Sequence, residues 1–350
     1  MKTMKRDIFI EKDITIREAI KVLDETARKI IFVLENDILI GTVTDGDVRR
    51  WILRSGDLNH TVNNIMNSNP ITLNIRESHL ARKVMKLKQI EAVPIVNDSN
   101  NVIDIIFWND EKLSLKENKK ISTPVVIMAG GKGTRLYPYT KILPKPLIPI
   151  GDYCITERII DRFIKFGCEN FYLTVNYKKN MIKAYFEDLD KNYKLNYVEE
   201  EKFLGTGGSL HLLKESINET FFVSNCDILV EANYLDILKY HKQHKNLITM
   251  VTSLKNYKIP YGIVNLNDNG QVIGTTEKPE FDYLVNSGFY VLEPECIEDI
   301  PKNEFFHLTD LINKYIKEGK KVGTYPITEN AWLDMGELKE MDKMIERLNL

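Results

Sequence analysis

The stretch Pro124-Val125-Val126-Ile127-Met128-Ala129-Gly130-Gly131-Lys132-Gly133-Thr134-Arg135-Leu136 decides the fold. Its first half is a short run of β-branched and apolar residues, the pattern of a strand buried on both faces. Three glycines follow at once. Lacking a Cβ, they let the backbone approach a ligand closely and turn several N–H groups onto one point, as in a phosphate nest. Arg135 and Lys145, the latter inside Pro144-Lys145-Pro146, add positive charge suited to a triphosphate. Other phosphate loops fit poorly. A P-loop needs GxxxxGK[ST], and a dinucleotide fingerprint needs GxGxxG, whereas Leu136 stands where the third glycine belongs. For GGxG alone, a tight turn that binds nothing is the competing reading.

Outward from this loop, strand and helix signals alternate. Ile159, Ile160, Phe163 and Ile164 make one helical face that Gly167 ends. Phe171 to Val175 reads as strand, Met181 to Phe186 as helix, and Phe221 to Ser224 as strand. The order predicts an α/β fold with a doubly wound, mostly parallel sheet, whose ligands bind beyond the carboxyl ends of the strands. Asp227 follows the strand Phe222-Val223-Ser224-Asn225-Cys226 at such an end, where a carboxylate can hold a metal or cap the next helix. Asp334 lies in Trp332-Leu333-Asp334-Met335-Gly336. The loop Leu204-Gly205-Thr206-Gly207-Gly208-Ser209 precedes a predicted short helix, and its backbone groups could read a nucleobase edge. A flexible loop or helix start is the plainer alternative.

The first third repeats itself with a period of about 60 residues. Ile16-Arg17-Glu18-Ala19 recurs as Ile75-Arg76-Glu77-Ser78, and Phe32-Val33-Leu34 recurs as Pro94-Ile95-Val96. Each copy opens with a helical stripe, Ile20, Leu23 and Ala27 in one, Leu80, Val84 and Leu87 in the other. So small a unit has little core of its own, and pairing of the copies is the expected remedy. Residues 111–123 are charged and polar without periodicity, which predicts a linker and two domains, 1–120 and 121–350.

GGKGTRLYPYTKILPKP resembles the signature of the sugar-phosphate nucleotidyltransferases, and the resemblance runs through residues 124–350. It implies a Rossmann-like core and an NTP wrapped by Ala129, Gly130, Gly131, Gly133 and Thr134, with Arg135 and Lys145 on its phosphates. It also implies catalytic Mg²⁺ on Asp227 and Asp334, and base contacts from Gly205, Thr206 and Gly208. Gly262, Glu277 and Asn286 would line the sugar pocket, and Lys278 would meet the sugar phosphate. The LGT loop is most like that of members using GTP. The repeat is similar to a pair of CBS motifs, a smaller α+β regulatory module. Gly41-Thr42-Val43-Thr44-Asp45-Gly46-Asp47 fits the G-x-x-T-x-x-D pattern, so Thr44 and Asp47 would contact a regulatory nucleotide. The second copy keeps Asp110 but has Asp104 where the glycine belongs. This combination of domains resembles the glucosamine-1-phosphate guanylyltransferases of legionaminic acid biosynthesis.

Composition narrows the alternatives. A net charge of −2 offers no electrostatic case for nucleic acid or an anionic membrane. No apolar run approaches the roughly 18 residues that span a bilayer. Four cysteines without CxxC spacing read as reduced thiols of a cytoplasmic protein. Uridylyl, thymidylyl or cytidylyl transfer stays open, as does a catalytically silent nucleotide sensor. A homo-oligomer is expected from the family and from the CBS pair.

Overall fold

The computed structural model describes residues 6–26, 28–88, 90–108 and 121–348. Asp110, Ala27 and most of the expected linker lie outside them. The chain divides into two compact units, Met1–Glu117 and Asn118–Leu350.

In the first unit both copies of the repeat build the same small sheet. The first holds β1 (Phe9–Glu11), β2 (Ile30–Glu35) and β3 (Ile38–Thr44), and the second holds β4 (Leu73–Asn74), β5 (Ala92–Val96) and β6 (Val102–Phe107). Each sheet pairs its first strand parallel to its second, and the second antiparallel to the third. The copies then share a core, in which Phe32 and Leu39 pack with Ala92, Val96 and Ile105. Leu39 and Asn100 join them further, the Leu39 N–H donating to Asn100 O at 3.1 Å and Asn100 Nδ2 to Leu39 O at 2.9 Å.

The helix Ile16–Thr26 buries Ile20 and Leu23 as its stripe predicts. The second stripe is out of phase. Leu80 and Leu87 are exposed, and Ala81 and Met85 face the core instead. The cause is local. Ile75–Leu80 winds as a 3₁₀ helix, so the α-helix starts only at Ala81 and its buried face is counted from there.

The second unit is built on one sheet of seven strands. The strands of the whole unit, inside and outside that sheet, begin in chain order with β7 (Val125–Ala129), β8 (Pro149–Ile150), β9 (Tyr153–Cys154), β10 (Asn170–Val175), β11 (Lys194–Glu199), β12 (Phe221–Asn225) and β13 (Ile228–Val230). There follow β14 (Ile248–Lys258), β15 (Ile263–Leu266), β16 (Val272–Thr276), β17 (Glu280–Leu292), β18 (Val322–Ile327) and β19 (Trp332–Asp334). The sheet runs β11-β10-β7-β12-β17-β14-β18. Its first four strands are parallel, β17 is antiparallel to both neighbours, and β18 is parallel to β14.

Both faces are covered. The helices Ile155–Ile164, Lys179–Asp188, Tyr234–His244 and Leu338–Arg347 pack on one, with Phe163 stacked on Phe289 at 5.6 Å. Ser209–Leu213 and Leu308–Lys317 cover the other. This is the doubly wound, mostly parallel α/β arrangement. From β7 the chain winds outward through β10 to β11, then returns to place β12 on the other side of β7. The carboxyl ends of β7 and β12 therefore flank the topological switch point, where such sheets open a crevice.

Candidate functional site

Each glycine after β7 has its own reason. A Cβ on Gly130 would stand 2.4 Å from Glu200 Oε1, so only glycine fits beneath that carboxylate. Gly133 is left-handed, at φ +65°, and a Cβ there would also press on Lys145 Cβ at 2.9 Å. Gly131 is different. A Cβ on it would meet nothing within 4 Å, so the space in front of it is open. Thr134 and Arg135 are exposed on a 3₁₀ turn anchored by the buried Leu136. Thr140 donates its hydroxyl to Gly133 O at 3.0 Å, which folds the segment back so that Lys145 lies against the glycines.

The two aspartates come from opposite ends of the unit and meet through β-pairing. β13 and β19 are antiparallel with Ile228 opposite Asp334, and the Met335 N–H donates to Asp227 O at 2.8 Å. Asp227 caps no helix, since Asn233 accepts from Leu235 and Asp236 N–H at the start of Tyr234–His244. Lys145 Nζ is ion-paired with Asp227 Oδ2, and both side chains are nearly buried, at 13% and 10% exposure. Asp334 Oδ1 accepts the Gly336 N–H at 2.8 Å. Burial, and then the charge of Asp227, push the Asp334 carboxyl above its ordinary value, while Lys145 and Arg135 pull it back. Arg135, Lys145, Asp227 and Asp334 thus share one electrostatic field.

The donor chemistry fits a hard divalent cation. Mg²⁺ binds through one or two carboxylates and completes its shell with water and substrate phosphate oxygens. Among the described residues no group of three or more His, Cys, Asp or Glu could hold a metal. Asp227 and Asp334 would therefore need substrate oxygens to finish the site.

The LGT loop departs from its expected form. Gly205–Gly208 is itself a helical turn rather than a loop before one. Its glycines admit close backbone packing, since a Cβ on Gly205 would meet Phe306 O at 2.6 Å and one on Gly208 would meet Glu304 O at 2.6 Å. Phe306 N–H donates to Leu204 O at 2.9 Å, and Gly207 and Gly208 N–H both donate to Phe306 O. Thr206 Oγ1 bonds His307 Nδ1 at 3.2 Å. The 304–308 segment, which sequence reading passed over, thus holds the loop's outer side.

Glu200 was also missed. It is 3% exposed, accepts the Leu204 N–H at 3.0 Å, and lies over Gly130, so it ties the two loops together. Burial raises its carboxyl above the usual range. It sits in Glu199-Glu200-Glu201, where pattern alone cannot separate three acids. Glu199 goes to the surface and pairs with Lys179 and Lys183, whose hydrogen bonds lower it to about 2.

Gly262 and Glu277 meet at the base of the β15–β16 hairpin, where a Cβ on Gly262 would come within 2.9 Å of Glu277 Oε2. Glu277 and Lys278 are largely exposed and stand 4.0 Å apart. Asn286 donates from Nδ2 to the Tyr290 hydroxyl at 2.7 Å. Two residues on, Gly288 at φ +82° lies so near Asn225 that a Cβ would approach its Nδ2 to 2.4 Å. The strand of Asn286 is thereby keyed to the turn of Asp227. Among the described residues no hydrogen bond or ion pair joins Glu277 or Lys278 to the Lys145–Asp227 pair. In the first unit, Thr44 and Asp47 bond each other, the Thr44 hydroxyl donating to Asp47 Oδ2 at 2.5 Å as a capping box for the helix Asp45–Leu53.

The raised Asp334 carboxyl makes a stability prediction. A carboxyl whose folded pKa lies above its unfolded value favours the fold when protonated and opposes it once ionised, so the penalty grows as pH rises through the ordinary carboxylate range. Asp334→Asn should therefore melt higher than the parent at pH 7, with the gap closing toward pH 4. Melting curves across that window check it, and a lower Asp334→Asn transition at pH 7 would contradict it.

Known proteins match both parts of the sequence. A family model described as nucleotidyl transferase matches residues 124–349, and a CBS domain model matches residues 2–54, the first copy of the repeat. The bifunctional protein GlmU of Methanococcus maripaludis is 35% identical over 222 residues, 60% of this chain and 51% of its own length. The mannose-1-phosphate guanylyltransferase catalytic subunit beta of Dictyostelium discoideum is 33% identical over 223 residues, 61% of each chain. The crystal structure of HddC from Yersinia pseudotuberculosis superposes with TM-score 0.52 at 25% identity, over 65% of this chain and 99% of that one. The chain spans about half the length of the GlmU relative. With the family model covering well over half of its residues, and the glycine loop and both aspartates at one strand-end crevice within the match, the chain belongs to the nucleotidyl transferase family.

Proposed function

We propose that the second unit transfers a nucleoside monophosphate, GMP from GTP, to a sugar 1-phosphate, with glucosamine 1-phosphate as the leading acceptor. The observation that carries this is the convergence of Arg135, Lys145, Asp227 and Asp334 beside an open glycine loop at the sheet's switch point. Phosphoryl transfer depends mainly on positioning and on charge placed where the phosphates sit.

In the reaction proposed, a phosphate oxygen of the sugar 1-phosphate attacks the α-phosphorus of the NTP in line. A new P–O bond forms, the bond to the bridging oxygen breaks, and its electron pair leaves with pyrophosphate. Backbone N–H groups of Gly130, Gly131 and Gly133 would face the polyphosphate, and Arg135 would hold its outer charge. Lys145, now paired with Asp227, is the cation best sited to stabilise charge on the α-phosphate. Mg²⁺ held by Asp227 and Asp334 would supply charge neutralisation. Gly262, Glu277 and Asn286 would hold the sugar and Lys278 its phosphate. No covalent enzyme intermediate is needed, since binding both reactants together already makes the step effectively unimolecular.

Glu200 supports guanine. A carboxylate only accepts hydrogen bonds, and guanine presents adjacent N1–H and N2–H donors, whereas uracil offers a single N–H between two carbonyls. Uridylyl transfer is the second reading. For the first unit we propose a regulatory nucleotide at Thr44 and Asp47, and association of the chain with further copies of itself.

Pyrophosphate release from GTP, UTP, TTP and CTP with Mg²⁺ and a panel of sugar 1-phosphates tests the activity. GTP with glucosamine 1-phosphate should be fastest, and silence throughout would leave a nucleotide sensor. Lys145→Ala should lower turnover by about 100-fold or more, the loss typical of one preorganised electrostatic contact, and a near-normal rate would refute its assignment. Glu200→Gln should reduce the preference for GTP over UTP by about tenfold or more, read as a ratio of kcat/KM values. Equilibrium dialysis of the full chain against AMP and ADP should show binding that Asp47→Ala removes. Equal binding by both proteins would leave the capping box as the whole purpose of that pair.

A further inference from the structure

We infer that Lys178 is a positioning residue for nucleotidyl transfer, strapping the segment that carries Arg135 and Lys145 to the end of the central sheet. The inference rests on the reading of the site given above. From Gly130 to Ile148 the chain has only brief turns, Thr134–Leu136, Tyr139–Ile142 and Lys145–Leu147. Such a segment makes few backbone hydrogen bonds of its own, so contacts from outside must set its shape.

Besides the Lys145–Asp227 pair, such contacts come from Tyr177 and Lys178 just after β10, beside Asn176. Asn176 Nδ2 donates to Glu200 O at 2.9 Å, which reaches the base loop. Tyr177 meets the glycine loop through its N–H, 3.5 Å from Gly130 O, and the short helix through its hydroxyl, 3.4 Å from Thr140 O. Lys178 Nζ donates to both Lys141 O and Ile142 O at 2.6 Å. These carbonyls end the short helix, where orphan acceptors and the local dipole favour a cation. Lys145 lies three residues beyond Ile142.

The backbone strengthens the case. Lys178 is left-handed, at φ +51°, a conformation that glycine adopts freely and an L side chain only with strain. Lysine there is explained by its ammonium group, not by its main chain. Without the strap the Tyr139–Ile142 helix can shift, and Lys145 and Arg135 shift with it relative to Asp227.

Lys178→Gly separates these effects, since it removes the ammonium and relieves the strain. Its melting temperature should equal or exceed that of the parent. Amide hydrogen exchange across residues 133–145 should rise several-fold, and kcat/KM for GTP should fall about tenfold, as misplacement of a catalytic group implies. The KM for the sugar 1-phosphate should not move, and Lys178→Arg should restore most of the loss. The exchange measurement needs no turnover, so it tests the strap even if the proposed reaction fails in the parent protein. Unchanged exchange and GTP kinetics would overturn the inference. So would a lowered melting temperature with equal losses toward both substrates, which would make Lys178 a stabiliser of the fold alone.

Discussion

Like charge held at close quarters is the constraint around which the second unit is organised. Pairing of β13 with β19 places Asp227 and Asp334 at one strand end, and the Met335 N–H to Asp227 O bond locks the register. The burial of Asp334 and its neighbour's charge work against its ionisation. A fold keeps such a pair only where counter-charge is at hand. Lys145 answers Asp227 directly, and Arg135 acts at longer range. The glycine loop, the switch point and the folded-back segment can all be understood as means of bringing those cations to the carboxylates.

Much of this was legible in the sequence, for reasons that differ by residue. A buried strand running into clustered glycines has few physical meanings, and the alternation of elements implied where its carboxyl end would lie. Asp227 and Asp334 were recognisable as motif members, but only the β13–β19 register explains how residues so distant in sequence meet. Glu200 was hidden among like neighbours, because whether an acid goes inward depends on the partner above it, here Gly130. The LGT glycines looked like ligand contacts, yet Gly205 and Gly208 also let one backbone lie on another, a contact between segments roughly a hundred residues apart. In the first unit the second helix slipped out of its expected phase because a 3₁₀ turn counts three residues where an α-turn counts nearly four.

Thr44 and Asp47 illustrate how one pair of side chains can satisfy two demands. Their mutual bonds end the orphan donors of a helix start, and the same oxygens stand at the motif position proposed for a nucleotide. A ligand there would have to add to the capping box or replace part of it. Arg50, ion-paired with Asp47, already occupies one side of that carboxylate.

All four cysteines are buried and free of disulfides, and burial pushes each thiol up to about 12. Thiolate is the reactive form, so the folded chain presents almost no nucleophilic sulfur to maleimides or iodoacetamide at neutral pH. A single cysteine placed on an exposed position such as Tyr261 would then take up a fluorophore in an otherwise silent background. The arm bearing the proposed sugar pocket could be followed by its emission without first stripping any native residue.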